Sequence, residues 1–291
     1  TTDNCVEGHK VLVEVAEKLK NKVYLGNVLK IIGHKNDPQV DILSIAYKYG
    51  IYEDFSDEVI KQLDDIPDKV NPQDLANRRD LTNETIFTID GDDTKDIDDA
   101  VSLQKHGENY ILGVHIADVS NYVKENTPLG DESYMRGTSS YLADTVIPML
   151  PHKLSNGICS LNEGEVRLSM SCVMEFNLKG ELVDYDIFPS YLKSSKKMTY
   201  KNVNKIIMEN VVPEGYEAYA DTLKEMHHLA NILRKMKERR GYMDFDLDEV
   251  KIIQDANGHA IDIQKRVRGE GEKLIEDFMI AANECVAAHI Y

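Results

Sequence analysis

Six aspartates fall within ten residues of this chain, in the run Asp90-Gly-Asp-Asp-Thr-Lys-Asp96-Ile-Asp98-Asp99. Carboxylates at that density repel one another, and flanking strands would prevent them from spreading out as they do on a solvated tail. Residues 85–89, an apolar and β-branched stretch, read as a strand entering the turn, and residues 100–103 alternate as a strand leaving it. Negative charge held between two strands is the chemistry of hard divalent cations with oxygen ligands.

Four readings of the turn compete. An EF-hand calcium loop beginning at Asp90 would need glycine at position six and glutamate at position twelve, where this chain has Lys95 and Val101. That reading fails. The pattern Asp90-Gly-Asp92-Asp-Thr94 also fits an aspartyl nucleophile of the haloacid-dehalogenase phosphatase type, with Asp90 attacking a phosphoryl group. The phosphatase fold alternates strands and helices, an order that the hairpins read below do not supply. In the third reading two metal ions are bracketed by Asp96, Asp98 and Asp99, with Asp90 closing the site from the end of the preceding strand, for displacement at a phosphodiester. The fourth is an acidic solvated loop without chemistry.

The elements around the turn alternate or repeat as follows. Residues 10–14 and 22–32 read as strands, 33–38 as a loop, and 40–49 as a helix stopped by Gly50. Ser56 is a good N-cap for a second short helix, and Asn71-Pro72 looks like another helix start. Residues 110–117 form a buried strand, 131–135 a short helix, and 146–151 an extended, proline-punctuated segment. A hairpin follows over 167–176 and 181–192, then helices over 199–209 and 216–240. Asn257-Gly258 joins two further strands, 249–253 and 260–264. The last helix, from 272 to about 291, is apolar around most of its circumference and is expected to be buried. Glu276 and Asn283 share a face of it. Either that face looks into a polar site, or the helix is half exposed.

Over 291 residues this pattern gives an α+β protein. A partial β-barrel domain with short helices is expected over residues 1–70, and a mixed-sheet domain with packed helices over 71–291. The net charge of −17 argues against nucleic-acid binding by bulk electrostatics, though not against a local basic groove or basic regions outside this sequence. Lysines 193, 196, 197 and 201 form a basic run, which is usually a solvated face. Four dispersed cysteines without a Cys-x-x-Cys pair read as reduced thiols, which places the protein in the cytoplasm. No apolar run approaches the length of a membrane span. The chain opens without Met and closes inside a helical pattern, so it is expected to be a piece of a longer protein.

The aspartate run sits in a series of motifs: Val114-His-Ile-Ala-Asp-Val-Ser120, Arg136-Gly-Thr-Ser-x-Tyr141, Val146-Ile-Pro-Met-Leu-Pro151, Leu154-Ser-Asn-Gly-x-Cys159-Ser-Leu-Asn162, Arg167-Leu-Ser-Met170, Glu238-Arg-Arg-Gly241 and Leu274-Ile-Glu-Asp-Phe-Met279-x-x-Ala-Asn283. In this order, over residues 78–291, the chain resembles the ribonuclease II family. Its first 70 residues are similar to the end of the cold-shock-type domain that precedes the catalytic domain there. The resemblance implies a processive 3′-to-5′ exoribonuclease that hydrolyses single-stranded RNA to nucleoside 5′-monophosphates. It implies Mg²⁺, with Mn²⁺ as a substitute, and neither a small-molecule cofactor nor a membrane. It also implies a monomer.

Asp90, Asp96, Asp98 and Asp99 match the metal-site aspartates, and Asp98 the one whose loss abolishes cleavage but not RNA binding. Tyr141 matches an aromatic that stacks on nucleotides near the 3′ end, and Phe245 its partner. Glu276 matches a carboxylate near the site, with Asp277 as the alternative. His115 beside Asp118 resembles an acid–base pair, but on a buried strand it reads as structural. The family's transition-state arginine and its S1 domain have no match before residue 291, so an RNA-binding fragment without turnover is the alternative to an active enzyme.

Overall fold

The computed structural model describes residues 4–142, 145–243, 249–255, 260–265 and 267–291. They fall into two compact units that no single cut in the chain separates. One comprises residues 1–60, 131–149 and 248–266, the other 61–130, 150–247 and 267–291.

The first unit opens with β1 (His9–Lys18) and β2 (Tyr24–His34), an antiparallel pair with three register shifts that bend it. Helix α1 (Val40–Lys48) buries Val40, Ala46 and Tyr47, and ends where Gly50 takes φ +75°, a conformation glycine adopts without a Cβ penalty. Helix α2 (Asp57–Gln62) begins as expected at Ser56, whose hydroxyl accepts from the Val59 amide at 3.4 Å.

The second unit is built on a five-stranded mixed sheet. Its strands are β3 (Arg79–Asp80), β5 (Asp99–His106), β6 (Asn109–Ala117), β9 (Val166–Phe176) and β10 (Leu182–Lys193) in the order β3-β10-β9-β6-β5, all antiparallel except β3 against β10. The short strand β4 (Thr88–Asp90) pairs in parallel with β11 (Lys197–Thr199). Between β6 and β9 the chain passes through α3 (Pro128–Arg136) and, in the first unit, the two-residue strands β7 (Ser140–Tyr141) and β8 (Val146–Ile147). Helices α4 (Tyr200–Glu209) and α5 (Ala220–Arg239) follow, then the pair β12 (Val250–Gln254) and β13 (Ala260–Lys265), which belongs to the first unit, and α6 (Glu270–Ile290). The α+β class read from the sequence holds, while the Asn257-Gly258 turn lies outside the described residues.

One face of the sheet carries Phe87, Val101, Leu112, Val114, Met174 and Phe176 into a core shared with Val203, Leu223, Leu233, Leu274 and Phe278 of the three helices. Ile86, Ile97, Ala100, Ala117, Leu161 and Leu192 form a second cluster. Ile97 of the aspartate turn belongs to the second cluster, and Ile89 and Val101 on either side of the turn belong to the first.

Three expectations change. Residues 85–89 are not a continuous strand. The Ser195 amide and hydroxyl both donate to the Ile86 carbonyl, Phe87 bridges Val101, and only Thr88–Asp90 is regular. Helix α5 starts at Ala220 rather than 216, because the buried Tyr216 ring sits in the preceding turn, where its hydroxyl takes the Thr199 amide at 3.2 Å. Helix α6 is buried on one side only: Leu274, Phe278 and Cys285 are in the core, while Asn283 and Ala287 are exposed. Among the described residues, no helix is long and apolar enough to cross a membrane.

Candidate active site

The turn begins where β4 ends. Thr88, Ile89 and Asp90 stand opposite Lys197, Met198 and Thr199, so β11 fixes the direction in which Asp90 leaves the pair. The Asp90 Oδ1 accepts from the Gly91 amide at 2.7 Å and from the Thr94 hydroxyl at 3.0 Å. Asp92 and Asp93 are exposed.

The far limb of the turn is pinned by a buried serine. The Ile97 side chain is 1 % exposed, its amide donates to Ser160 Oγ at 3.1 Å, and its carbonyl accepts from the Leu161 amide at 2.9 Å. Ser160 Oγ donates in turn to the Lys95 carbonyl at 2.8 Å, while Arg167 Nε donates to the Ser160 carbonyl at 2.9 Å. The Asp98 carbonyl accepts from the Ala117 amide at 2.8 Å, and Asp99 opens β5 opposite Ile116.

Strand periodicity then decides where Asp99 points. Side chains two apart in β5 share a face, so Asp99 lies on the side of Val101, which is covered by the helical core. Its Oδ2 is buried without a hydrogen-bond partner. Burial first, then the charges of Asp90 and Asp98, pushes the Asp99 carboxyl up to about 6. Asp98 is raised by the same causes, desolvation followed by Asp96 and Asp90. Four of the six aspartates therefore act on one another electrostatically. Burial, with Asp98 as the next cause, drives the Cys159 thiol up to about 12, so the sulfur stays protonated and is a poor metal ligand.

Like charges at one end of a sheet, all presenting oxygen, one of them an orphaned buried oxygen, match the needs of a hard divalent cation. Such an ion would satisfy Asp99 Oδ2 and offset the mutual repulsion. Among the described residues, no three His, Cys, Asp or Glu side chains already converge as a ready coordination shell. The aspartates are gathered but not closed.

The other candidate residues are placed as follows. Tyr141 lies in the other compact unit, on β7 opposite Val146, and is 69 % exposed. Phe245 lies outside the described residues. Glu276 sits on the accessible side of α6, ion-paired with Arg268, and is not among the charges that perturb Asp98 or Asp99. Its neighbour Asp277 is buried and bound by Arg234 at 2.8 Å and Lys237 at 2.6 Å.

His115 and Asp118 each have other partners. His115 is 2 % exposed between Ser102 Oγ, 3.1 Å from Nε2, and Ser171 Oγ, 2.7 Å from Nδ1, and burial pulls it down to about 4. Asp118 is ion-paired with Arg78. Four supports of the turn emerge only from the fold, because the sequence carries no signal for that role: Thr94, Ser160, Arg167 and Lys197. Ser160 and Arg167 lie inside quoted motifs, but nothing in their type announces a loop anchor.

With this geometry in place, comparison with known proteins is decisive for the family. The family model described as RNB domain matches residues 78–291. The chain belongs to the RNB domain family. A cold shock domain model matches residues 1–56, ahead of the RNB domain. Ribonuclease R of Thermotoga maritima is 47 % identical over 290 residues, an alignment covering 98 % of this chain and 41 % of that protein. The solved structure of Mycoplasma genitalium RNase R in complex with ribose-methylated single-stranded RNA superimposes with a TM-score of 0.92 at 28 % identity, over 99 % of this chain and 45 % of that one. The same enzyme in complex with double-stranded RNA also gives a TM-score of 0.92, covering 51 % of that chain. The chain thus spans about two fifths of the length of the Thermotoga relative that it matches.

Proposed function

We propose that this chain is the cold-shock-type region (residues 1–70) and the first part of the catalytic domain (71–291) of a processive 3′-to-5′ exoribonuclease that degrades single-stranded RNA to nucleoside 5′-monophosphates. The observation that carries the reading is the aspartate turn of the RNB domain, in which Asp98 and Asp99 are raised by burial and by their neighbours and Asp99 Oδ2 has no partner.

Asp90, Asp96, Asp98 and Asp99 would hold Mg²⁺, or Mn²⁺ in its place. Bound there, divalent ions supply neutralising charge at a scissile phosphate. The protein's own part is to keep four carboxylates close despite their repulsion, through the Ser160 anchor on one limb and β11 on the other. Asp98 is the residue on which cleavage depends most. Tyr141 stacks on a base near the 3′ end, with Phe245 as its partner, each stack contributing about 1–3 kcal/mol without regard to sequence. Glu276 contacts the RNA from α6. The enzyme acts as a monomer in the cytoplasm and needs no small-molecule cofactor.

The test is product analysis on the complete gene product, using single-stranded RNA labelled at its 3′ end with Mg²⁺ present. Labelled nucleoside 5′-monophosphate should appear first and disappear with EDTA. Internal fragments as first products would contradict the reading. A second reading, RNA binding without turnover by this portion alone, rests on the chain spanning only 41 % of the length of the Thermotoga relative. For this portion it gives RNA retention in the same assay and no mononucleotide.

A further inference from the structure

The basic run at residues 193–201 has the composition of a solvated face, and Lys197 departs from it. Lys197 is half buried in β11, and its ammonium donates to the Thr94 carbonyl inside the aspartate turn. Its own amide donates to Glu163 Oε2 at 2.7 Å, which ties this end of β11 to the segment that follows Ser160. Thr94 is the next link, since its hydroxyl donates to Asp90 Oδ1 at 3.0 Å. Gly91 makes room for that bond: a Cβ on residue 91 would lie 3.0 Å from Thr94 Oγ1, closer than side chains ordinarily tolerate. Asp90 is thus held by β11 twice, once through the strand register that sets it opposite Thr199 and once through the chain Lys197–Thr94–Asp90.

We propose that Lys197 and Thr94 are positioning residues for Asp90: the ammonium fixes the Thr94 end of the turn, and the threonine hydroxyl aims the Asp90 carboxylate toward its fellow aspartates, ready for a divalent cation. The proposal rests on the reading of the turn as a metal site. The physical need is evident. Asp90 shares its turn with Asp96, Asp98 and Asp99, so repulsion favours any rotation that carries it away from them. Two hydrogen bonds to one of its oxygens, from the Gly91 amide and the Thr94 hydroxyl, oppose that rotation. Partners of this kind behind a ligating carboxylate commonly change metal affinity by about 10- to 100-fold.

The sign of the effect separates positioning from charge. A lysine acting only as a nearby positive charge weakens cation binding, so its loss would tighten it. A lysine that positions a ligand strengthens binding, so its loss would weaken it. The experiment is Mn²⁺ titration of the complete gene product, with free Mn²⁺ read by electron paramagnetic resonance, for the parent, Lys197→Met, Lys197→Arg, Thr94→Val, Thr94→Ser and Asp98→Asn. Lys197→Met and Thr94→Val should each weaken Mn²⁺ binding by about 10-fold or more. Lys197→Arg and Thr94→Ser, which keep the donor, should stay close to the parent. Equal or tighter binding in both Lys197→Met and Thr94→Val would overturn the proposal, and Thr94→Val decides it should Lys197→Met fail to fold. A parent that binds no Mn²⁺, or an Asp98→Asn variant that binds it as the parent does, would overturn the metal reading and the proposal with it.

Discussion

At the scale of single residues, Asp99 combines an ordinary side chain with an unusual place, half buried at the start of a strand against two like charges. Raised from 3.8 to about 6, its carboxyl binds more protons in the folded state than in the unfolded one between those pH values. Its contribution to stability is therefore present at low pH and is lost as pH rises through about 6. His115 works in the opposite sense, since a value near 4 in the fold costs stability as pH falls from 6.5. The informative quantity is thus the difference between parent and Asp99→Asn. In metal-free buffer the variant's melting temperature should rise relative to the parent's as pH passes from 4 to 7, and Mg²⁺ should raise only the parent's. A parent–variant difference independent of pH would remove Asp99 from the charged cluster. Tyr141 offers a separate test. With its ring well exposed, Tyr141→Ala should leave the fold intact and lengthen the residual oligonucleotide, and an unchanged end product would exclude it from the RNA path. The aspartates could be singled out from their density in the sequence, and Tyr141 and Glu276 only through the family resemblance. Thr94 and Lys197 could not, because their significance is a hydrogen bond to a residue distant in sequence or shape.

Among the elements, strands whose stability comes from their own pattern were legible and those defined by a neighbour were not. Residues 110–117 and the 167–192 hairpin alternate or stay apolar over a full strand length, and both are strands. β3 and β11, of two and three residues, exist because β10 and β4 offer them backbone partners, and no periodicity can announce that. Helix α6 illustrates a further limit. Its sequence, apolar around most of its circumference, leaves burial and half exposure both open, and packing against the sheet, α4 and α5 takes up one face and leaves Glu276 and Asn283 accessible. Its firmest polar tie is Asp277, with Arg234 and the buried Lys237 of α5 on its two oxygens. Removing one partner of a buried ion pair strands the others, so Asp277→Ala should destabilise the protein by about 3–5 kcal/mol in urea unfolding. Glu276→Ala, which breaks a more exposed pair, should cost no more than about 1 kcal/mol. Equal losses for the two variants would contradict this account of how α6 is held.

For the whole molecule, the net charge of −17 and the RNB fold point in different directions, because an RNA-degrading surface has to attract phosphate. The aspartate turn holds six of the 51 acidic residues, a share that divalent ions bound there would neutralise. The Thermotoga relative extends well beyond the 41 % of its length matched here, so the complete polypeptide is the proper object for activity. The most direct test of the central claim pairs two readouts on that polypeptide, RNA affinity and mononucleotide release with Mg²⁺, in the parent and in Asp98→Asn. Retained affinity with release of mononucleotide abolished is the expected result. Undiminished release from Asp98→Asn would contradict the assignment of the aspartate turn as the centre of cleavage.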